Sequence, residues 1–322
     1  MLENMLQAKK DFSRFGLSLF VIGIVTTVLP LIFGVIMGIF MADTTLANSD
    51  LIFWILTMAP LYLVSVPIGY WMMSKIPAED CPKQKLRLGR FLLLMLMCMP
   101  IMYAGNLIGN ILSSLLSGGT AENPLIDLIM DKPLYSFFFA VLLAPCVEEF
   151  LFRRQIIDRL GKYGEKTAIL FSGITFGLFH MNLFQFFYAF GLGVIFAYVY
   201  TRTRMLRYPV IMHMIINFLG SVIAPLLLNM LDLELLTSLD SANAEQLMDA
   251  LPGLLVYLGY SLLYMGCVIA GLAILIVRWK KCSFHPASRE LPAGNVGKYV
   301  YRNPGMICFT LFCLVMIVLA LF

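Results

Sequence analysis

Long apolar runs separated by short polar segments dominate this chain of 322 residues. Most of the runs reach the roughly 18 consecutive apolar residues that mark a candidate membrane-spanning helix. Nine such segments predict nine transmembrane helices, or eight if the short and polar fifth segment does not cross the bilayer. The segments are Phe15–Met41, Leu51–Ser74, Phe91–Leu116, Leu134–Phe152, Thr167–Met181, Leu183–Thr201, Pro209–Met230, Leu251–Val277 and Gly305–Phe322. The pattern therefore predicts an all-α polytopic membrane protein.

The composition supports a location in the lipid bilayer. Apolar residues make up 60% of the chain, and charged residues make up 13%, whereas soluble domains are about 25% charged. A chain of this composition would expose too much apolar surface in water, which excludes a soluble fold. The first apolar run is also too long for a cleaved signal peptide, so it is predicted to be a membrane span.

Basic residues are concentrated in the loops that follow even-numbered segments. The loop between the first two segments, Ala42–Asp50, contains no Lys or Arg. By the positive-inside rule, this alternation places the N-terminus in the cytoplasm. The net charge of +4 arises from these clusters. Because there is no basic stripe or zinc finger, the sequence gives no reason to expect a nucleic-acid partner. The basic loops are Lys75–Arg90, Arg153–Lys166, Arg202–Arg207 and Arg278–Arg302.

The ionisable residues within the spans divide the chain into three parts. They are concentrated between Leu134 and Gly220, and such residues inside a membrane usually pair or mark a function. We therefore predict N-terminal helices 1 to 3 in residues 1–133 and a functional core of four helices in residues 134–228. Residues 229–322 contain the last two helices and a cytoplasmic linker rich in proline.

Two adjacent glutamates stand near the end of the fourth segment. Glu148 and Glu149 point about 100° apart on a helix, so they are not expected to share one partner. Glu149 and Arg153 are four residues apart and can form an ion pair on one face. Glu148 is then left without a cation, and an unpaired carboxyl group in an apolar environment suits a general base. The alternative is that both glutamate side chains lie near the cytoplasmic membrane interface and simply extend toward water.

Two of the three histidines lie in the same polar core. A lone histidine on an apolar helix is more often a satisfied core residue than a catalyst. Here His180 ends the fifth segment, and His213 lies four residues before Asn217, so these two side chains share one face of the seventh helix. The grouping favours a common site. The third histidine lies in the linker, and we assign it no role.

The depth of these side chains limits how they can meet. Counting from the turn near Gly161 at about 1.5 Å per residue, Glu148 and His180 lie at comparable height. His213 lies only about one turn after Pro209. A common site therefore requires that the fourth and fifth helices project into the cytoplasm, or that the approach to the seventh dips inward.

Three short polar motifs follow one another on three separate spans. They are Glu148-Glu149-x-x-x-Arg153, Phe176-x-x-x-His180 and His213-x-x-x-Asn217. Each motif alone would occur by chance, but the ordered set resembles the CPBP family, which contains the CAAX prenyl endopeptidases and the bacteriocin-immunity-type (Abi) proteins. The resemblance extends over about Leu134 to Gly220.

This resemblance implies an intramembrane endopeptidase in the plasma membrane of a bacterium. Glu148 would activate a water molecule for attack on a peptide carbonyl group, and His180 would help to hold that water. His213 and Asn217 would stabilise the oxyanion, while the glutamate–arginine pair would support the site. The implied substrate is a peptide or the tail of a membrane protein, reached from the cytoplasmic side.

The resemblance leaves the role of a metal open, because the family has been described both as metalloproteases and as glutamate-dependent proteases. Two histidines and a glutamate can bind zinc, but the sequence has no H-E-x-x-H pair. The amide of Asn217 suits an oxyanion donor better than a zinc ligand. We therefore expect a glutamate-activated water without an obligatory metal, with zinc as the alternative.

Two other functions fit the same spans. A membrane scaffold or bacteriocin self-immunity protein would keep the fold and bind a partner without chemistry. A transporter could use buried Glu and His residues to relay protons. Transporters usually contain internal repeats with broken helices at matching positions, and we find no internal repeat in this sequence.

Overall fold

The computed structural model describes residues 2–40, 49–123, 133–232, 235 and 243–322. All regular structure within these residues is helical, and nine main helices correspond to the nine apolar segments. Most of the loop Ala42–Asp50 lies outside the described residues. The helices are α1 Leu2–Phe40; α2, formed by Asp50–Ala59, Pro60–Ser65 and Val66–Ser74; α3 Leu88–Ser117; α4, formed by Pro133–Ser136, Phe137–Leu143, Ala144–Glu149, Phe150–Gln155 and Ile156–Leu160; α5 Glu165–Phe179; α6 Leu183–Thr203; α7, formed by Arg207–Phe218, Leu219–Ile223 and Ala224–Leu228; α8 Ala244–Arg278; and α9 Pro304–Leu319.

Seven of the described helices are long and apolar enough to cross a membrane. An eighth span is formed if α9 is joined to the helical segment Ala293–Tyr301, from which it is bent by 68°. The remaining helix, α5, has 15 residues and is about 22 Å long, which is shorter than a hydrocarbon core of about 30 Å. The predicted all-α polytopic class is confirmed, and the count agrees with the eight-span alternative.

Helix α6 lies between α3 and α5, and small residues allow the close approach on both sides. A Cβ atom added to Gly105 of α3 would lie 2.5 Å from the backbone nitrogen of Tyr188 in α6. On the other side, a Cβ atom on Gly193 would lie 3.0 Å from Cα of Gly173 in α5. Contacts between small residues of this kind are how helices pack tightly in membranes. They hold α5 at a fixed position beside the rest of the core.

The first and last helices also pack backbone against backbone. A Cβ atom on Gly305 would lie 1.8 Å from the carbonyl oxygen of Ser13. The backbone N–H of Gly305 also donates to the Ser13 hydroxyl oxygen at 3.0 Å. Helix α9 is therefore an integral part of the frame, even though the linker that precedes it is long.

Helix α4 continues beyond Phe152, where its apolar segment ends, and this changes the interpretation of the basic loop that follows. Arg153 is fully buried inside the helix instead of lying in a loop. Arg159 and Lys162 are 9% and 8% exposed, respectively. Lys162 pairs with Asp11 of α1 at 3.4 Å. Part of the basic cluster that was predicted to mark topology therefore serves to hold the helices together.

Candidate active site

The two glutamates occupy a short α-helical segment, Ala144–Glu149, between two wider π-helical turns of α4. Inserted π-turns are often found at functional sites. In the first of them, the N–H of Ala144 bonds to the carbonyl oxygen of Phe139. The next residue is Pro145, which has no N–H to donate, so the carbonyl oxygen of Ala140 lacks a partner in its own helix.

Asn217 of α7 supplies that missing partner. Its side-chain Nδ2 donates a hydrogen bond of 2.8 Å to the Ala140 carbonyl oxygen. A free carbonyl group inside a membrane is costly, and such groups are usually satisfied by a neighbouring helix. The contact attaches α7 to α4 near the glutamates. It uses one of the two amide hydrogens of Asn217, so the other remains available.

Glu149 and Arg153 form the buried ion pair that their spacing predicts. The Arg153 Nε donates to Glu149 Oε2 at 2.8 Å, and Nη2 donates to Oε1 at 3.1 Å. Both side chains are 0% exposed. The remaining guanidinium nitrogen, Nη1, donates to the Ser172 hydroxyl of α5 at 3.0 Å. Both oxygens of the carboxylate therefore accept a charge-assisted hydrogen bond.

His213 of α7 lies between the two glutamates. Its Nδ1 is 3.0 Å from Glu149 Oε1, so Nδ1–H donates to that carboxylate. Its Nε2 is 3.8 Å from Glu148 Oε2, which is longer than a direct hydrogen bond. The structure thus brings both motif glutamates and the motif histidine of α7 to one place.

Glu148 differs from its neighbour in both exposure and partners. Its side chain is 26% exposed, whereas that of Glu149 is 0% exposed. Arg153 makes both of its bonds to a carboxylate with Glu149. Glu148 is therefore the carboxylate of this site that can still receive a ligand or a water molecule.

His180 ends α5 at a sharp reversal of the chain. The next residue, Met181, is in the left-handed region with φ 55°, an uncommon conformation for a residue other than glycine. Asn182 then begins α6, and its side chain accepts from the N–H of Gln185 at 2.9 Å. His180 Nδ1 lies 2.8 Å from the carbonyl oxygen of Phe176. A carbonyl oxygen only accepts, so Nδ1 carries the hydrogen and the lone pair of Nε2 is free in the neutral ring.

The helices meet at the site because α4 extends far beyond the glutamates. From Glu149 to Leu160, the helix rises about 16 Å, whereas α7 rises about 9 Å from Arg207 to His213. By this count the fourth helix projects past the start of the seventh. This difference in length brings His213 to the level of the glutamates.

Several side chains that support the site carry no recognisable motif. Ser172 receives the third guanidinium hydrogen bond, and it passes its own hydrogen to the carbonyl oxygen of Phe152 at 2.6 Å. The ring of Phe176 lies 4.3 Å from the Arg153 guanidinium carbon, and that of Phe196 lies 5.7 Å from it. Only the position of Ser172 as a polar residue in an apolar span could have indicated its role.

A zinc ion in a protein takes three or four protein ligands. Among the described residues, no group of three or more His, Cys, Asp and Glu side chains is arranged to hold a metal ion. His213 and His180 both direct Nδ1 to protein oxygens. These bonds engage only Nδ1 of each ring, and metal-binding histidines also commonly donate their other ring nitrogen to a protein oxygen.

Comparisons with known proteins connect this geometry to a family. Residues 130–219 match the family described as type II CAAX prenyl endopeptidase Rce1-like. The membrane-embedded CAAX protease MroQ of Staphylococcus aureus is 34% identical over 124 residues, which are 35% of this chain and 49% of that protein. The putative membrane peptidase YdiL of Bacillus subtilis is 30% identical over 106 residues, which are 31% of this chain and 42% of that protein. No solved structure matches the chain.

The fold and the matched segment define an all-α membrane protein with a polar core of the CAAX-protease type. Residues 130–219 are similar to the CAAX prenyl endopeptidases, so the resemblance to the CPBP family carried by the three motifs is confirmed. The matched segment contains every residue of the three motifs. The chain spans about half the length of the curated relatives it matches.

The same substitution at the two neighbouring glutamates should change the unfolding free energy by different amounts. Glu149→Gln leaves the buried guanidinium of Arg153 without its counter-charge, so we expect a loss of about 3 kcal/mol in unfolding free energy. Glu148→Gln removes a carboxylate that is partly exposed and makes no bond to Arg153, so we expect a change within about 1 kcal/mol. Unfolding of the purified full chain in one detergent measures both, and equal losses for the two variants would contradict the assignment.

Proposed function

We propose that this chain is an intramembrane endopeptidase in which Glu148 acts as the general base. The proposal rests on the difference in exposure and ion pairing between the two glutamates. Glu149 is fully buried and paired with Arg153, whereas Glu148 is 26% exposed beside His213 Nε2. The match of residues 130–219 to a family of endopeptidases supports hydrolysis of a peptide bond as the reaction.

In the proposed reaction, Glu148 takes one proton from a water molecule, and the water oxygen bonds to the scissile carbonyl carbon. The electrons of the carbonyl double bond move to its oxygen, giving a tetrahedral intermediate. Glu148 then gives the proton to the leaving nitrogen as the C–N bond breaks, which yields a carboxylic acid and an amine. General acid–base catalysis of this kind contributes roughly 10²- to 10⁴-fold to the rate.

His180 would hold the attacking water. Its Nδ1–H is occupied by the Phe176 carbonyl oxygen, so the free lone pair of Nε2 can accept the second hydrogen of that water. The Nδ1 bond to Phe176 orients the imidazole ring, and Met181 and Asn182 fix the backbone beside it. A ring fixed in this way needs little reorganisation during the reaction.

Asn217 and His213 would stabilise the oxyanion. Asn217 donates one amide hydrogen to the Ala140 carbonyl oxygen, and this bond orients the second amide hydrogen for the substrate. His213 can donate from Nε2 when both ring nitrogens carry hydrogen. In that form, the charges of Glu148, Glu149, Arg153 and His213 sum to zero. Preorganised donors of this kind are often the largest single contribution to catalysis.

The proposed substrate is a peptide or membrane-protein tail that enters residues 134–228, which we propose as the catalytic core. The two named bacterial relatives are described as a membrane peptidase and a membrane-embedded CAAX protease, which supports a bacterial plasma membrane. The alternation of basic loops supports a cytoplasmic N-terminus. These four helices contain all the residues that the reaction uses.

Peptidomics of cells that express the intact chain or Glu148→Ala at matched levels tests the proposal. Because the base is lost, we expect a precursor to accumulate and its turnover to fall at least roughly 100-fold. Glu3→Ala, which removes an exposed carboxylate at the start of α1, is the matched control. Full processing or full self-immunity in the Glu148→Ala strain would favour a non-catalytic scaffold or immunity protein.

Chelation tests the proposal that no metal is required. We expect the purified full chain to keep its activity on an identified precursor after dialysis against a strong chelator, since Glu148 activates the water without a metal ion. His180→Ala, assayed alongside, should show lower activity at every metal concentration. Loss of activity on chelation, followed by recovery with added zinc, would overturn this part of the proposal.

A further inference from the structure

A cavity of about 640 Å³ opens between α1, α2 and α9, outside the segment that matches the family. Lys9, Lys10 and Arg14 line it from α1, and Lys75 lines it from the end of α2. Among the residues that the structure describes, no acidic side chain lines this space. We refer to it as the basic cavity.

The four cations of the basic cavity lack acidic partners. In the described part of the chain, neither the three cations of α1 nor Lys75 forms an ion pair with a carboxylate. Other cations do form such pairs, for example Lys162 with Asp11 and Arg204 with Asp158. A cleft lined by charges of one sign concentrates the field and attracts counter-ions. The basic cavity is therefore suited to an anion.

The cavity also has an apolar side, and its position favours a lipid. Leu17 lies about one turn after Arg14, toward the apolar part of α1. Trp71 lies about one turn before Lys75, toward the apolar part of α2, and Lys75 Nζ is 3.5 Å from the centre of its ring. On both helices, the cation thus lies toward the polar end and the apolar side chain toward the membrane. Tryptophan beside lysine is typical of the level of lipid headgroups.

We propose that the basic cavity binds the phosphate-bearing headgroup of an anionic phospholipid. The cations contact the phosphate, and Leu17 and Trp71 contact the start of the acyl chains. Basic pockets between membrane helices are known to hold anionic headgroups. The backbone contact between Gly305 and Ser13 fixes α9 against α1, so the walls of the cavity are in place before the lipid arrives.

Thermal unfolding of the full chain in a neutral detergent tests this site. Phosphatidylglycerol should raise the unfolding midpoint in a saturable way, because a ligand that binds only the folded state stabilises it. Phosphatidylcholine should not raise the unfolding midpoint in this way. In Arg14→Gln/Lys75→Gln, the apparent affinity for phosphatidylglycerol should fall at least about tenfold, since each basic residue near an anionic lipid adds to binding. Lys83→Gln/Lys85→Gln, which removes two exposed loop cations, should retain the response.

Three results would contradict the proposal. These are an equal response to the two lipids, an equal loss of affinity in both double variants, and a full shift with inorganic phosphate alone, which would indicate a soluble anion. Quenching of Trp71 by brominated phosphatidylglycerol gives a second readout in folded protein. The quenching should exceed that by brominated phosphatidylcholine. This excess should disappear in Trp71→Phe, which retains Trp54 and Trp279, and an excess that persists there would contradict a lipid at this site.

Discussion

The buried pair of Glu149 and Arg153 holds the polar core together. Arg153 extends from α4 to the hydroxyl of Ser172 in α5 and lies near the ring of Phe196 in α6. Glu149 extends from the same helix to His213 in α7. One ion pair therefore connects all four helices of the matched segment. Because a charge buried in a membrane costs several kcal/mol unless it is paired and hydrogen-bonded, these contacts depend on one another.

This constraint explains why two adjacent glutamates can have different roles. The guanidinium group makes both of its carboxylate bonds to Glu149, on the face that points toward α5 and α7. Glu148, turned about 100° around the same helix, lies 3.8 Å from His213 Nε2. The structural pair thus holds a second carboxylate close to the histidine and without a bond to the guanidinium group. In the proposed reaction, this second carboxylate is the base.

The apolar runs and the spacing of polar residues predicted much of this arrangement. Four-residue spacing paired Glu149 with Arg153 and placed His213 and Asn217 on one face. The burial of Arg153 could not be predicted from the apolar pattern, because the apolar run ends one residue earlier. The sequence alone does not distinguish a buried arginine from one in a loop. The bond from Asn217 to Ala140 could not be predicted either, since it depends on a π-turn followed by Pro145. Counting residues along the chain could not give the depth of His213 relative to Glu148, because helix α4 continues beyond its apolar segment.

The most direct measurement of the central claim is the coupling free energy between Arg153 and each glutamate. Double-mutant cycles on the unfolding of the full chain give this quantity, with Arg153→Met combined in turn with Glu149→Gln and Glu148→Gln. The structure predicts a coupling of about 2 kcal/mol or more for Glu149 and a coupling near zero for Glu148. Equal couplings, or a larger coupling to Glu148, would contradict the assignment of Glu149 as the structural partner and Glu148 as the base.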